Sequence, residues 1–210
     1  MTIQTAAADE LLSTTRAVRK RLDLARPVPR EVILDCVRMS QQAPTGGNQQ
    51  GWRWIVVTDP AKRAKLADIY RACVGSYFPT ASEAAKASGQ VQTSRVYDSA
   101  QYLADHLHEV PALVIPCVKG RPSDSLAMQA AMYGSIFPAV WSFNLALRAR
   151  GLGTALTTMH LMKEGEAAAL LGVPDDYTQV ALLPVAYTLG EDFKPADRPA
   201  PETIVSWDGW

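Results

Sequence analysis

The segment from residue 126 to residue 147 carries no charged side chain, and its apolar residues fall on nearly every side of a helix. Arg148, Arg150 and Gly151 follow it, and cations before a terminating glycine are typical of a helix end. With Ser123 as its cap, the helix has a length of about 40 Å. Because a helix that is apolar all round is normally buried, we expect it to be central and covered on two sides by different chains.

The composition is that of a globular protein. Of the 210 residues, 48% are hydrophobic and 20% are charged, close to the globular average. This length allows one sizeable core, so we predict a single domain over residues 1–210 with mixed helices and strands. Lys and Arg together number 21, as do Asp and Glu. The net charge is therefore zero, and no overall basic field is present to bind nucleic acid or an anionic membrane.

Cysteine usage and the lengths of the apolar runs predict a cytoplasmic protein. Cys36, Cys73 and Cys117 are far apart in apolar settings, which is typical of reduced core thiols rather than of a disulfide frame or a zinc site. The N-terminal stretch MTIQTAAADE lacks the basic and apolar regions of a leader peptide, and the apolar runs at 110–118 and 180–187 are too short to span a bilayer. Sequence motifs of phosphate-binding loops, zinc proteases and serine hydrolases are also missing.

Apolar periodicity and turn residues predict the order of the elements. Helices are expected at 9–15, 31–42, 59–73, 123–150, where Pro138 should bend the helix, and 163–171, and strands at 52–57, 112–118, 153–158 and 178–189. Residues 75–108 give a weak signal that we interpret as irregular surface helix. Residues 194–201 are rich in proline and should be extended, whereas the strand-like piece at 203–207 is apolar and should be covered by a partner subunit.

Four segments have residues suited to binding an anion or a flat aromatic ligand. They are the basic segment 15–21, the glycine- and amide-rich loop 43–52, the segment GLGTALTTMH at 151–160, and Lys194 with Arg198 in the tail. Guanidinium groups near a helix end bind phosphate, and glycines with Asn and Gln allow close contact with a heteroaromatic edge. Each segment alone also fits a solvated charge run, an ordinary turn or exposed surface.

Aromatic and histidine side chains are further candidates for contact with a substrate. Trp141, Phe137, Tyr77 and Tyr102 could stack on a flat acceptor, but large aromatics at helical spacing more often pack in a core. His160 follows the GLG segment and could face a substrate, although a buried or surface role is the commoner one.

Taken together and in this order, the four segments resemble those of the FMN-dependent nitroreductase family. The opening resemblance is carried by TTRAVRKRLDLARPVPREVILDCVRMSQQAPTGGNQQGWRWIVVTD, with its RxxR-type basic segment and AP[ST]xxNxQxW loop. SIFPAVWSFNLALRARGLGTALTTMHL is similar to the family's long dimer helix and GLG strand, and VALLPVAYTLGEDFKPADRP to its last core strand and arginine-bearing tail. The resemblance covers most of the chain except residues 75–108.

The resemblance implies an α+β, nitroreductase-like fold. Its central sheet would be mostly antiparallel and flanked by helices, in an intertwined homodimer whose C-terminal strand is exchanged. Two FMN sites would lie at the dimer interface, each built from both chains. NAD(P)H would be the electron donor, and a nitroaromatic or quinone the small aromatic acceptor, with ping-pong transfer through flavin N5. No catalytic acid, base, nucleophile or metal is then required from the protein.

The same resemblance assigns roles to individual residues. Arg16 would bind the FMN phosphate with the backbone of Ala17, where the family often has serine, and Arg19 would contact the N1/O2 edge of the ring. The partner subunit would contribute the loop residues Pro44, Thr45, Gly46 and Asn48. Leu156 would lie beneath the flavin, backbone groups near Thr157 and Thr158 would reach N5 and O4, and Lys194 and Arg198 would complete the phosphate site.

Other reactions on the same fold remain open. They are oxygen-dependent flavin fragmentation by a flavin destructase, reductive dehalogenation and reduction of an activated alkene. A flavin-binding protein without turnover and a small anion-binding module without flavin are the further alternatives.

Overall fold

A computed structural model describes residues 4–210. Residues 1–3, which begin the N-terminal stretch predicted not to be a leader peptide, lie outside this range. The described residues form seven α-helices and five β-strands. The helices are α1 (Thr5–Thr14), α2 (Arg30–Ser40), α3 (Pro60–Val74), α4 (Tyr77–Ala87), α5 (Val91–His106), α6 (Leu126–Arg148) and α7 (Glu164–Leu171). The strands are β1 (Trp52–Val57), β2 (Ala112–Lys119), β3 (Leu152–Gly153), β4 (Tyr177–Gln179) and β5 (Leu183–Tyr187).

Strand β2 is the centre of the sheet. It pairs with β1 along one edge and with β4 and β5 along the other, and β3 extends the sheet beyond β5. Each of these pairings is antiparallel, so the predicted α+β class with a mostly antiparallel central sheet is confirmed. Successive β2 side chains point to opposite faces. Leu113 and Ile115 pack with α3 and α5, whereas Val114 and Val118 pack with α2 and α6.

Helix α6 has one buried and one exposed side in the single chain. Ile136 and Phe143 are fully buried against the sheet and α2. On the other side, Met128 is 62% and Trp141 is 47% exposed. The helix continues through Pro138. The prediction of a central, nearly all-round apolar helix therefore holds for the half that packs on the sheet, and the other half is an uncovered apolar surface.

By length and composition alone, α6 could also cross a membrane. Of its most apolar stretch, 39% is buried inside the protein. Among the described helices, α6 alone is both long enough and apolar enough to meet this test. A core helix packed on a sheet meets the same test of length and composition, so this helix does not contradict the expectation that the apolar runs are too short for a bilayer.

The interpretation of residues 75–108 as irregular surface helix is wrong. They form two regular helices, α4 and α5, which pack on each other and on the core through Phe78 and Leu103, exposed by only 7% and 2%. Tyr77 meets Tyr97 edge-on, with ring centroids 5.9 Å apart. Small side chains such as Ala and Ser weaken the apolar periodicity of both helices but allow this close packing.

The strand predicted over residues 178–189 is interrupted. Between β4 and β5, the Val180 N–H donates to the carbonyl oxygen of Pro116 over 3.0 Å. Leu182 leaves the ladder and exchanges two backbone hydrogen bonds with Thr157, of 2.8 and 3.1 Å. This break connects the core strand to the segment that follows β3.

The C-terminal tail forms no strand within the described residues. The piece predicted as strand-like contains part of a 3₁₀ turn, Pro201–Thr203, and its Ile204 and Trp207 are 78% and 86% exposed. The start of the tail is held more firmly. The guanidinium groups of Arg21 and Arg148 lie 4.3 and 4.8 Å from the centre of the Phe193 ring.

Candidate functional site

Backbone pairing joins the basic segment to the GLG segment. The Val18 N–H donates to the Thr154 carbonyl over 2.8 Å, and Ala17 forms a parallel bridge with Thr154. The strand predicted over residues 153–158 is thereby reduced to β3 and isolated bridges. Gly153 has no room for a side chain, because an added Cβ would lie 2.8 Å from Thr188 Cγ2. Two segments more than a hundred positions apart in sequence therefore meet at one place.

A cavity of about 180 Å³ lies at this junction. Of the predicted site residues, Arg16, Ala17 and Leu156 line it. Its other lining residues are Thr15, Val18, Trp141, Asn144, Arg148, Leu152, Gly153 and Thr154. Trp141 is the only one of the four aromatic candidates among them. The cavity thus has a cationic end and an apolar wall.

Three buried polar atoms on the cavity residues have no hydrogen-bond partner within the described residues: Asn144 Oδ1, Arg148 Nε and Thr154 Oγ1. Asn144 and Thr154 are only 5% and 6% exposed. Buried polar groups are nearly always paired, because an unpaired one loses its hydration without compensation. These atoms suit a ligand that has a phosphate group and hydroxyl groups, as the phosphate and ribityl chain of FMN do.

Arg19 points away from this cavity, towards α5. Its Nη1 donates to Ser99 Oγ over 3.3 Å. Burial lowers the pKa of the Arg19 guanidinium, and the nearby Tyr70 acts in the opposite direction. Arginine remains protonated under such conditions. Arg19 is therefore a half-buried cation beside the helix pair α4 and α5.

The polar groups of Thr157 are largely used within the chain. Its backbone N–H and C=O both bond to Leu182, and its buried Oγ1 lies beside the Tyr70 hydroxyl, whose pKa this contact acts to lower. The adjoining Leu156 and Thr158 are exposed. Of the backbone groups predicted to reach a flavin at this position, those of Thr157 are therefore already used.

The amide-rich loop is anchored to α6 rather than to the basic segment. The Gly46 N–H donates to Ser135 Oγ over 3.0 Å, and Trp52 Nε1 donates to the Ser135 carbonyl over 2.7 Å. Gly47 and Asn48 have φ of 59° and 54°, a left-handed conformation that glycine and asparagine tolerate best. The loop is consequently a turn attached to α6, with its amide side chains exposed.

This loop borders a second cavity of about 540 Å³, which Thr45 and Gly46 line together with Lys119, Met128 and Ser135. Pro44 and Asn48 are exposed beside it. Arg16 and Leu156 do not line this cavity. Within one chain, the predicted site residues are thus divided between two separate cavities.

The tail cations lie outside both cavities. Lys194 and Arg198 are exposed, and Arg198 Nη1 donates to the adjacent Asp197 carbonyl over 3.0 Å.

Asn144 and Arg148 line the first cavity but were not among the site residues predicted from the sequence. Asn144 is a polar residue in an apolar helix, and Arg148 lies four positions later on the same helical face, which is the signal that could have found them.

The buried His160 does not face either cavity. It is 0% exposed, and neither ring nitrogen has a partner within the described residues. Burial lowers its pKa to about 4, whereas the nearby Glu164 carboxylate acts to raise it. The ring is therefore neutral at pH 7. In the described range, no group of three His, Cys, Asp or Glu side chains is placed to hold a metal ion.

Comparison with known proteins identifies the family. Residues 12–187 match the model of the nitroreductase family. The chain belongs to the nitroreductase family. A 5,6-dimethylbenzimidazole synthase of Rhodobacter capsulatus is similar to this nitroreductase-family chain, with 31% identity over 176 residues, or 80% of either protein.

Solved structures show the same fold. Iodotyrosine deiodinase bound to FMN and 3-iodo-L-tyrosine has a TM-score of 0.71 with 22% identity, over 96% of this nitroreductase-family chain and 98% of the other. The FMN- and NADPH-dependent nitroreductase NfnB from Sphigopyxis sp. strain HMH has a TM-score of 0.71 with 20% identity, over 97% and 99%. The predicted family and fold are confirmed.

Proposed function

We propose that this chain is an FMN-dependent oxidoreductase that uses NAD(P)H to reduce nitroaromatic or quinone-type acceptors. The observation that carries the proposal is the cavity in which Arg16 and Leu156 meet three buried polar atoms that have no partner in the described part of the chain. Membership in the nitroreductase family supports a redox reaction, and the cation, hydroxyl and apolar wall of the cavity suit the phosphate, ribityl chain and ring of FMN.

Bound FMN supplies two-electron transfer between a reduced nicotinamide and an acceptor that bind in turn, which gives ping-pong kinetics. The protein needs to bind and orient the reactants. Arg16 would hold the phosphate, with Ala17 contributing backbone contacts, and Leu156 would support one face of the ring. Arg19, whose Nη1 bonds to Ser99 in the single chain, would have to turn to the ring edge that becomes negative on reduction, where a fixed guanidinium favours the reduced state. Thr157, whose backbone is already paired, would offer its side chain near N5 and O4, together with Thr158.

A homodimer in the cytoplasm completes the proposal. Pro44, Thr45, Gly46 and Asn48 line or border a cavity that Arg16 does not reach within the chain, so a partner subunit must bring them to the same ligand. The uncovered side of α6 provides an apolar surface for that partner. Lys194 and Arg198 follow Phe193, which packs on Arg148 beside the cavity, and in the proposed site they would complete the contacts to the phosphate.

The proposal is tested on the purified protein. We expect a yellow dimer by light scattering, release of FMN on heat denaturation, and one FMN per chain. Anaerobic stopped-flow should show reduction by NADPH or NADH and reoxidation by menadione and a nitroaromatic. A colourless monomer that does not take up added FMN contradicts the proposal, and reoxidation by molecular oxygen alone contradicts the reductase assignment.

A second candidate reaction is oxygen-dependent flavin fragmentation. It is favoured by the 31% identity with the Rhodobacter capsulatus 5,6-dimethylbenzimidazole synthase over 80% of both proteins. Incubation of the protein with excess reduced FMN in air, followed by chromatography, distinguishes the two. Accumulation of 5,6-dimethylbenzimidazole identifies the synthase reaction, and intact FMN with acceptor turnover identifies the reductase. Iodotyrosine added to the acceptor panel tests dehalogenation in the same assay.

A further inference from the structure

Arg148, at the end of α6, brings a second guanidinium to the cavity that contains Arg16. Both arginines line the cavity of about 180 Å³, and no Asp or Glu is among its lining residues. Neither arginine forms a salt bridge with a described residue. The cavity therefore has two positive charges and no compensating carboxylate.

The hydrogen bonds of Arg148 within the described chain both use Nη2 and leave its buried Nε without an acceptor. Its Nη2 lies 3.5 Å from Thr14 Oγ1 and 3.3 Å from the Glu191 carbonyl oxygen, and its planar group packs on the Phe193 ring. These contacts hold the guanidinium in place. Its Nε is buried and has no partner in the described chain. A donor held rigidly and left unpaired is preorganised for an acceptor that is brought by a ligand.

Two more unpaired groups lie on the same cavity. Asn144 is one helical turn before Arg148 on α6, and neither its Oδ1 nor Thr154 Oγ1 has a hydrogen-bond partner among residues 4–210. Both side chains are more than nine-tenths buried. A charged donor, a hydroxyl and an amide around a small cavity can together satisfy a phosphate monoester and a neighbouring hydroxyl group.

We propose that Arg148 is a further phosphate-binding guanidinium for the flavin nucleotide, acting with Arg16 inside the cavity and assisted by Asn144 and Thr154. This inference rests on the proposed function. A phosphate monoester carries between one and two negative charges at pH 7, so two cations fixed in the cavity wall match it better than Arg16 alone, before the tail cations Lys194 and Arg198 are added. Arg148 then selects FMN over riboflavin, which has the same ring and ribityl chain without the phosphate.

The test compares the dissociation constants of FMN and riboflavin, measured by quenching of flavin fluorescence. In the unchanged protein we expect FMN to bind more tightly. Arg148→Gln should weaken FMN binding by about tenfold or more, because a charge-assisted hydrogen bond is lost, and should leave riboflavin binding within twofold. Arg21→Gln is the matched control, since Arg21 packs on the same Phe193 ring but does not line the cavity.

A second variant protects the test against a folding defect in Arg148→Gln. Asn144→Asp keeps the shape of the side chain and adds a negative charge beside the phosphate, so it should weaken FMN and spare riboflavin. The inference is overturned if both variants lose FMN and riboflavin equally, or if neither changes the FMN-to-riboflavin ratio by more than twofold. Failure of the unchanged protein to bind either flavin rejects the proposed function and this inference together.

Discussion

Gly153 lies so close to Val18 that a Cβ added to the glycine would come within 2.9 Å of the valine Cβ. Beside this contact, the Val18 N–H donates to the Thr154 carbonyl over 2.8 Å. The backbone φ at this position is not in the left-handed range. Glycine is therefore required here by close packing and not by backbone conformation. The contact is where the N-terminal basic segment is joined to the cavity.

Substituting alanine for this glycine should destabilise the protein and its cavity. Gly153→Ala is expected to cost about 1–3 kcal/mol, typical of overpacking in a core, and to lower the flavin content. Chemical denaturation measures the first effect and absorbance the second. Gly165→Ala is the control, since nothing lies within 4 Å of its added Cβ and alanine favours helix. Equal stability of the two variants contradicts the packing argument.

Reversal of charge at Arg16 should remove FMN. Arg16→Glu replaces a charge-assisted hydrogen bond with repulsion, and we expect a loss of about 3 kcal/mol, roughly a hundredfold in Kd. Flavin content after dialysis is the measurement. Lys65→Glu, an equal charge change at an exposed position on α3 outside both cavities, should retain FMN. Unchanged flavin content in Arg16→Glu contradicts the assigned role.

Removal of Arg19 should act on the redox potential more than on binding. Without the guanidinium, reduced flavin loses a stabilising charge, so Arg19→Ala should lower the reduction potential by about 30 mV or more while more FMN is retained than in Arg16→Glu. Potentiometric titration against reference dyes measures the shift. Lys20→Ala, an exposed neighbour, serves as the control. A reduction potential equal to that of the unchanged protein contradicts the proposed position of Arg19 at the ring edge.

The buried His160 should make the protein less stable in acid. Its pKa is lowered to about 4 by burial, compared with about 6.5 in an unfolded chain. The unfolded state therefore binds more protons between these values, and stability falls as the pH falls from 6.5 towards 4. Between pH 7.5 and pH 4.5, the free energy of unfolding should fall by about 2–3 kcal/mol less in His160→Gln than in the unchanged protein.

Urea denaturation at the two pH values tests this difference in slope. His108→Gln is the matched control, because His108 is exposed. The pH dependence of this control should equal that of the unchanged protein. Identical slopes for His160→Gln and the unchanged protein contradict the assignment of the acid sensitivity to His160.

Strong local signals made much of the fold predictable. The cations and Gly151 after the apolar run predicted the end of α6, and the β-branched run before Asp59 and Pro60 predicted β1 followed by α3. Helices α4 and α5 were missed as regular elements because their small residues blur the apolar period. The break between β4 and β5 depends on the pairing of Leu182 with Thr157, which is a long-range contact without a local signal.

The candidate site was predictable only in part. The resemblance carried by the four segments implied roles for Arg16 and Leu156, and the fold brings these two residues to one cavity. From the sequence, Arg148 is predicted only as a favourable charge at a helix end. Its position on the cavity depends on the pairing of the GLG segment with the basic segment, which is a long-range contact. Local sequence also could not reveal that the backbone of Thr157 is already paired.

The separation of Arg16 and the amide-rich loop into different cavities has a genetic consequence. A subunit that carries Arg16→Glu still has an intact loop, and a subunit with a damaged loop still has an intact Arg16. When the two inactive forms are expressed together, mixed assemblies under the proposed two-chain site contain one wholly intact and one doubly damaged pocket. Two alleles that each encode an inactive protein should therefore complement each other in the same cell.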